Sequence, residues 1–190
     1  MAREKATHFA KPWRVHALAP DFELEDLWAF DLGGGGDLRA FLSCFWRVFG
    51  ELPDALLVKI RLRVGAALGW DDHDFSLPIP GCQEKSLGER LTDDDRRNSV
   101  PYELPRPPVA SPEVRVVYCF EREAAFEFSN DTIHGLLHIG VHAGRATLAV
   151  YVKHRGVASH AYMAAIWPAR HLFLYPVLVS KVERAWRATR

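Results

Sequence analysis

The chain has 190 residues, of which 48% are apolar, 25% charged and 12% aromatic. That is the makeup of one folded globular domain, not of a disordered or fibrous chain. Lys and Arg total 24 against 24 Asp and Glu, so no global positive field exists to hold a nucleic-acid backbone, and no nucleic-acid partner is expected.

The local exception is the tail, where Lys181, Arg184, Arg187 and Arg190 recur every third residue, a placement that suits the last turns of a helix. Cys44, Cys82 and Cys119 are odd in number and far apart, with no C-x-x-C pair. That argues for a reducing cytoplasm and against a disulfide framework or a zinc knuckle. The opening MAREKATHFAKPW carries charge without an apolar run, so no secretory leader is expected and the sequon at Asn130-Asp131-Thr132 carries no weight. The most apolar stretch, Ala161 to Ser180, is interrupted by Arg170 and His171 and carries Pro168 and Pro176. Its apolar runs fall short of the roughly 18 residues of a membrane span, and a buried helix is the better reading.

In chain order, PDFELEDLWAFDL places Leu24, Leu27 and Trp28 together at helical spacing after a Pro20-Asp21 start, which predicts a helix. Gly33 to Gly36 form a loop. With Leu38 in the third glycine's place and no preceding strand expected, they do not make a dinucleotide fingerprint. DLRAFLSCFWRVFG predicts an amphipathic helix from Asp37 with Gly50 as its stop. A second helix is expected from Pro53-Asp54, with Leu56, Ile60, Val64 and Leu68 on one stripe, although VKIRLRV also alternates as a strand does. Residues 71–113 are rich in proline and hold two acidic clusters, Asp71-Asp72-His73-Asp74 and Asp93-Asp94-Asp95. They predict a long loop-rich connection with one or two short edge strands, its acidic groups in solvated turns.

Three strands follow, about Val114–Phe128, Thr132–His142 and Arg145–Arg155, with corners at Asn130-Asp131 and Ala143-Gly144. If both corners are two-residue turns, counting sets the register. Val141 then meets Ala146, Ile139 meets Leu148 and Leu137 meets Val150; at the first corner Phe128 meets Ile133 and Phe126 meets Gly135. One face is apolar, apart from Arg122 and from His154 near a strand end, where exposure is expected. The other face collects Glu121, Glu123, Glu127, His134, His138, His142, Arg145, Thr147, Tyr151 and Lys153, with Glu127 opposite His134 and Glu123 opposite His138. Histidines four apart on a strand stand about 13 Å apart and cannot share a zinc ion with ligand distances near ~2 Å. This face reads as solvated acid–histidine–base pairs, and no metal or cofactor is expected.

A final helix is expected from about Val157 to Ala188, laying Tyr162, Ile166, Phe173 and Val177 over the apolar face and bent at Pro168 and Pro176. A bent helix over a curved sheet leaves room for an apolar cavity. Its lining would be Phe120, Phe126, Phe128, Leu137, Leu148, Val150, Tyr162, Ile166 and Phe173, with Arg122 as a polar anchor.

The stretches FEREAAFEFSNDTIHGLLHIGV and LAVYVKHRGVASHAYMAAIWPARHLFLYP resemble an uncharacterised bacterial family, the domain of unknown function 2867. The matching positions are Asn130, Thr132, His134, Val150 to Lys153, Arg155-Gly156, Ala161 to Met163, Arg170-His171 and Tyr175-Pro176, with Gly69-Trp70 as a further landmark. The resemblance implies an α+β fold of the helix-grip class, similar to START and Bet v 1 proteins, with an antiparallel sheet around a long C-terminal helix. It supplies no catalytic residue. The expected function is therefore non-enzymatic binding of an apolar or aromatic small molecule or lipid between sheet and helix. The alternatives are a cyclase- or hydrolase-like enzyme using a His/Glu acid–base pair, for which no nucleophile motif is present, and a module that docks a protein or membrane surface. The oligomeric state is left open.

Overall fold

The computed structural model of the chain describes residues 2–51, 85–104, 114–129 and 133–189. The helix expected after Pro53, the Gly69-Trp70 landmark, the Asp71–Asp74 cluster, Cys82, residues 105–113 and the sequon lie outside the described residues.

Five strands, β1 (Glu23–Asp31), β2 (Arg115–Cys119), β3 (Glu123–Ser129), β4 (Ile133–His142) and β5 (Arg145–His154), form one antiparallel sheet. Their spatial order is β1-β5-β4-β3-β2. The β4–β5 corner follows the counted register: Val141 pairs with Ala146, Ile139 with Leu148 and Leu137 with Val150. Ala143 and Gly144 both take positive φ, 48° and 72°, the two-residue turn whose twist matches the strands. The first corner is longer than two residues, so Phe128 pairs with Gly135 and Phe126 with Leu137. That slip of two residues keeps the paired β3 and β4 side chains on their expected faces.

Two expected elements are corrected. The segment at 114–128 is not one strand but a tight β2–β3 hairpin turning at Phe120 to Arg122. The helix expected at PDFELEDLWAFDL is the edge strand β1. A bulge between Leu24 and Asp26 inserts Glu25 as an extra residue. It puts Leu24 and Leu27 on one face at a spacing of three, which mimics a helical stripe.

Helices cover both faces. On the apolar face, Phe30, Phe126, Ile139, Val141, Leu148, Val150 and Val152 share a core with α3 (Leu38–Gly50) and with the end of the final helix. The Asp37 side chain caps α3 by accepting from the Ala40 N–H at 2.9 Å; Gly50 is the last helical residue and Glu51 the cap. Phe41, Phe45 and Trp46 project from α3 onto Phe30, Trp186 and Phe126.

The opposite face is covered by α1 (Ala2–Phe9), α2 (Arg14–Leu18), a 3-10 turn at Leu87–Arg90 and α4 (Asp93–Asn98). Trp13, Val15, Leu18, Phe22 and Leu87 pack there on Tyr118, Ala125, Leu136, Ala149 and Tyr151. The expected solvated cluster at Asp93-Asp94-Asp95 is instead the first turn of α4. Thr92 and Asp95 close a reciprocal cap there, and Asp95 also takes a two-pronged contact from Arg14, at 2.9 and 2.7 Å.

The final helix runs as α5 (Val157–Ala169), one π-helical turn (Arg170–Leu174) and α6 (Tyr175–Ala188). Its two prolines remove backbone donors on either side of the widened turn. No helix among the described residues is long and apolar enough to cross a membrane.

Candidate functional site

The middle of the histidine-bearing face is buried, contrary to the expectation of a solvated surface, while Glu121, His142 and Arg145 at its end are exposed as expected. His134 and His138 are fully enclosed and Glu123 and Glu127 nearly so. The register makes their pairing diagonal, not directly opposite: His138 Nε2 lies 3.0 Å from Glu123 Oε2, and His134 Nε2 lies 3.4 Å from Glu127 Oε2. Each carboxylate then ties down part of the covering layer. Glu123 accepts the Arg14 backbone N–H at 2.8 Å, at the start of α2, and the Tyr118 hydroxyl at 2.8 Å. Glu127 accepts the Leu87 N–H at 2.8 Å and the Ser86 hydroxyl. Farther along, His8 of α1 meets the Tyr151 hydroxyl at 2.7 Å. The pairs therefore fasten the two covering segments to the sheet.

Electrostatics fixes how this layer responds to pH. Burial, with the charges of His138 and His16, drives the His8 imidazole down to about 3. Burial works to raise Glu123 and Glu127, but hydrogen bonds from His138 and His134 and from neighbouring N–H and O–H groups hold both below the usual carboxylate range. When the layer is undocked, His8 takes up a proton below about 6.5. Docking therefore weakens as the pH falls from there toward the buried value, and the Glu contributions, present above their unfolded range, are lost as the pH falls through the lowered values. Hydrogen-exchange protection of residues 2–19, corrected for intrinsic rate, is expected to fall steadily from pH 7 to pH 4; protection that stays flat would contradict this.

A second polar cluster lies on the edge strand β1, on the side of the final helix. The Asp26 carboxylate, its side chain wholly enclosed, gathers Arg170 Nη1 at 2.9 Å, His171 Nε2 at 3.0 Å and the Tyr175 hydroxyl at 2.7 Å. Burial, then the nearby Asp26 charge, pushes the Tyr175 phenol well up, so it stays protonated and donates. The π turn is what lets residues 170, 171 and 175 reach one carboxylate, and Trp28 stacks on Tyr175 at 4.8 Å. Beside this cluster, His154 places Nδ1 2.7 Å from Ser159 Oγ and Nε2 3.4 Å from Glu25 Oε1. His154 was expected to be exposed at its strand end; α5 covers it, and its side chain is only 6% exposed.

The residues of the final-helix motif thus converge on one buried acid. The family described as "Protein of unknown function (DUF2867)" matches residues 18–177. The chain belongs to the DUF2867 family. No curated protein and no solved structure matches it. In this DUF2867 fold the motif residues have structural tasks. Arg155 donates to Ser129 Oγ at 2.9 Å and to the Ile133 carbonyl at 3.2 Å, Gly156 takes a φ of 102° ahead of α5, and Met163 is buried in the core.

The expected cavity residues divide. Phe126, Phe128, Leu137, Leu148, Val150 and Ile166 share the apolar side of the sheet. Phe120 does not: it stands at the β2–β3 turn and stacks on Tyr118, on the opposite face, at 4.4 Å. Arg122 is exposed in the same turn, beside Gly35–Leu38 and His142–Gly144. Phe173 is 66% exposed and Val177 is 46% exposed, because the π turn rotates the helix by part of a turn and presents Leu178, Val182 and Trp186 to the core instead. The Tyr162 side chain lies outside what is described.

Within the shared group burial is uneven. Phe126, Leu148 and Val150 are buried, whereas Leu137, on an interior strand, is only half-buried. So are Val114 and Val116 of the β2 end, Phe128, Ile166 of α5 and Phe49 at the end of α3. Phe128 lies flat over Gly135, where an added Cβ would fall 2.1 Å from its ring. The sequence did not reveal the Asp26–Arg170–His171–Tyr175 convergence, and the only available signal was the spacing of Arg170, His171 and Tyr175 around two prolines.

Proposed function

We propose that the chain, acting as one START-like domain of residues 1–190, is a cytoplasmic binding protein. It takes an apolar or aromatic small molecule or lipid into a hollow between the sheet and the final helix. The observation that carries this reading is the half-burial of Leu137. A leucine on an interior strand, flanked by Phe126 and Val150 across the ladder, is ordinarily sealed in the core. Phe128, Val116, Ile166 and Phe49, which pack against the same core, are half-buried as well, and apolar side chains of this kind line sites for apolar molecules. The antiparallel sheet with a helix across it supports the helix-grip relationship, and the free thiols Cys44 and Cys119 support a reducing compartment. Native mass spectrometry of freshly purified protein is expected to show a species heavier than the bare chain by a small-molecule mass, released on solvent denaturation. The bare mass alone, before and after incubation with a mixed lipid extract, would count against the reading.

A second reading rests on a different observation. Trp167, Leu172, Phe173 and Val177 are 47%, 66%, 66% and 46% exposed on the outer side of the final helix, an apolar patch of the kind that docks a partner. The acid–base enzyme gains less support, because the carboxylates of both Glu–His pairs are taken up by backbone N–H and hydroxyl donors of the covering layer.

A further inference from the structure

We propose that Glu23, Glu25 and His154 form a binding site for a divalent first-row transition-metal ion at the open end of the β1–β5 pair, with coordination positions left for an oxygen ligand held by Arg170. The site goes beyond the apolar hollow and does not depend on it. One ligand atom from each of the three residues lies within 4.8 Å of the other two. The Glu25 Oε1 to His154 Nε2 distance of 3.4 Å matches the separation of about 3.4 Å between two donors of a tetrahedral ion bonded at ~2.1 Å. Backbone geometry sets this up: Glu23 pairs with Val152, and alternation puts Glu25, two residues on, and His154, two residues beyond Val152, on the same side of the sheet.

The imidazole is oriented as a ligand should be. The buried Ser159 hydroxyl sits 2.7 Å from Nδ1, so an Nδ1–H donating to Ser159 Oγ leaves the Nε2 lone pair facing Glu25. His160 stacks on the ring with centroids 3.9 Å apart and shields it. A separate observation points to a bound acceptor. Arg170 is 8% exposed, yet its Nε and Nη2 have no hydrogen-bond partner among the described residues. Nη1 is committed to Asp26, and Nη2 stands 3.9 Å from Glu25 Oε2, too far for a hydrogen bond. A buried guanidinium with two idle donors beside a carboxylate–imidazole set calls for an oxygen to donate to. A water, carboxylate or phosphate oxygen on a metal held by the three residues supplies it. One imidazole and two carboxylates suit Zn²⁺ or Mn²⁺, and Glu23, which is exposed, leaves the site open to solvent.

Calorimetric titration of the EDTA-stripped full chain with ZnCl₂ tests this, with Co²⁺ absorption in the visible as a second readout. One tight equivalent is expected per chain. Glu23→Gln and Glu25→Gln should each weaken it at least tenfold and His154→Gln should abolish it. Ser159→Ala should weaken it about tenfold, the lower end for an outer-shell partner, and His142→Gln should leave it unchanged. Zinc should raise the melting temperature of the wild type more than that of Glu23→Gln at the same concentration. Glu23 is exposed, so that variant decides the matter even if His154→Gln fails to fold. The absence of a tight equivalent, or tight binding that survives Glu23→Gln and Glu25→Gln, would overturn the site.

Discussion

Replacing Glu123 with alanine is expected to lower the unfolding free energy by about 3 kcal/mol or more, since each buried donor left without its acceptor costs roughly 1–3 kcal/mol. The carboxylate accepts from His138, Tyr118 and the backbone of Arg14 at once, so its loss strands three donors under the covering layer. Arg14 also grips Asp95 of α4, so the damage should spread to that helix. Urea unfolding followed by circular dichroism measures the loss. Glu121→Ala, two residues away in the exposed turn, should stay within about 0.5 kcal/mol of wild type. A loss below about 1 kcal/mol for Glu123→Ala would show that the pair is not an anchor.

Asp26→Ala is expected to have a comparable effect, about 3–5 kcal/mol, by a different route. It leaves Arg170 as a buried cation and the Tyr175 hydroxyl without its acceptor. Trp28, stacked on Tyr175, should report the change as a shift in its fluorescence. The double variant Asp26→Leu with Arg170→Met should recover more than half of the loss, since replacing both members of a buried pair with apolar side chains is often near neutral. If single and double variants lose the same stability, the ion pair is not what holds the π turn to the sheet.

The parts of this fold that counting could reach are the ones with rigid local rules. The Ala143-Gly144 turn fixed the β4–β5 register because a two-residue turn leaves no freedom. Asp37 marked the start of α3 through its cap. The first corner allowed more than one loop length, so its register slipped by two while the faces survived, since strand periodicity is two. β1 was misread for a physical reason: the bulge at Glu25 turned a strand's alternation into a spacing of three. The largest miss was the polar face. Glutamates and histidines read as solvent-facing when taken alone, and nothing local says that α1, α2 and residues 86–98 fold back over them. One cue was present: Leu136 and Tyr151 sit among the histidines, and both neighbours Leu136 and Leu137 are apolar, as on a strand covered on both sides. The Asp26 cluster was out of reach because it joins residues about 150 positions apart in sequence through a π turn, which no periodicity announces.

The binding reading is tested most directly by titrating the protein with N-phenyl-1-naphthylamine, a neutral apolar fluorophore, alongside Leu137→Trp. The indole would fill the proposed hollow from the sheet side while keeping the position apolar, so circular dichroism and melting temperature should stay close to wild type. Ile166→Trp fills it from the helix side. Wild type should bind one equivalent saturably in the micromolar range, about −8 kcal/mol, and each tryptophan variant should weaken that at least tenfold. No saturable binding by wild type, or equal binding by folded Leu137→Trp, would contradict a ligand site between the sheet and the final helix.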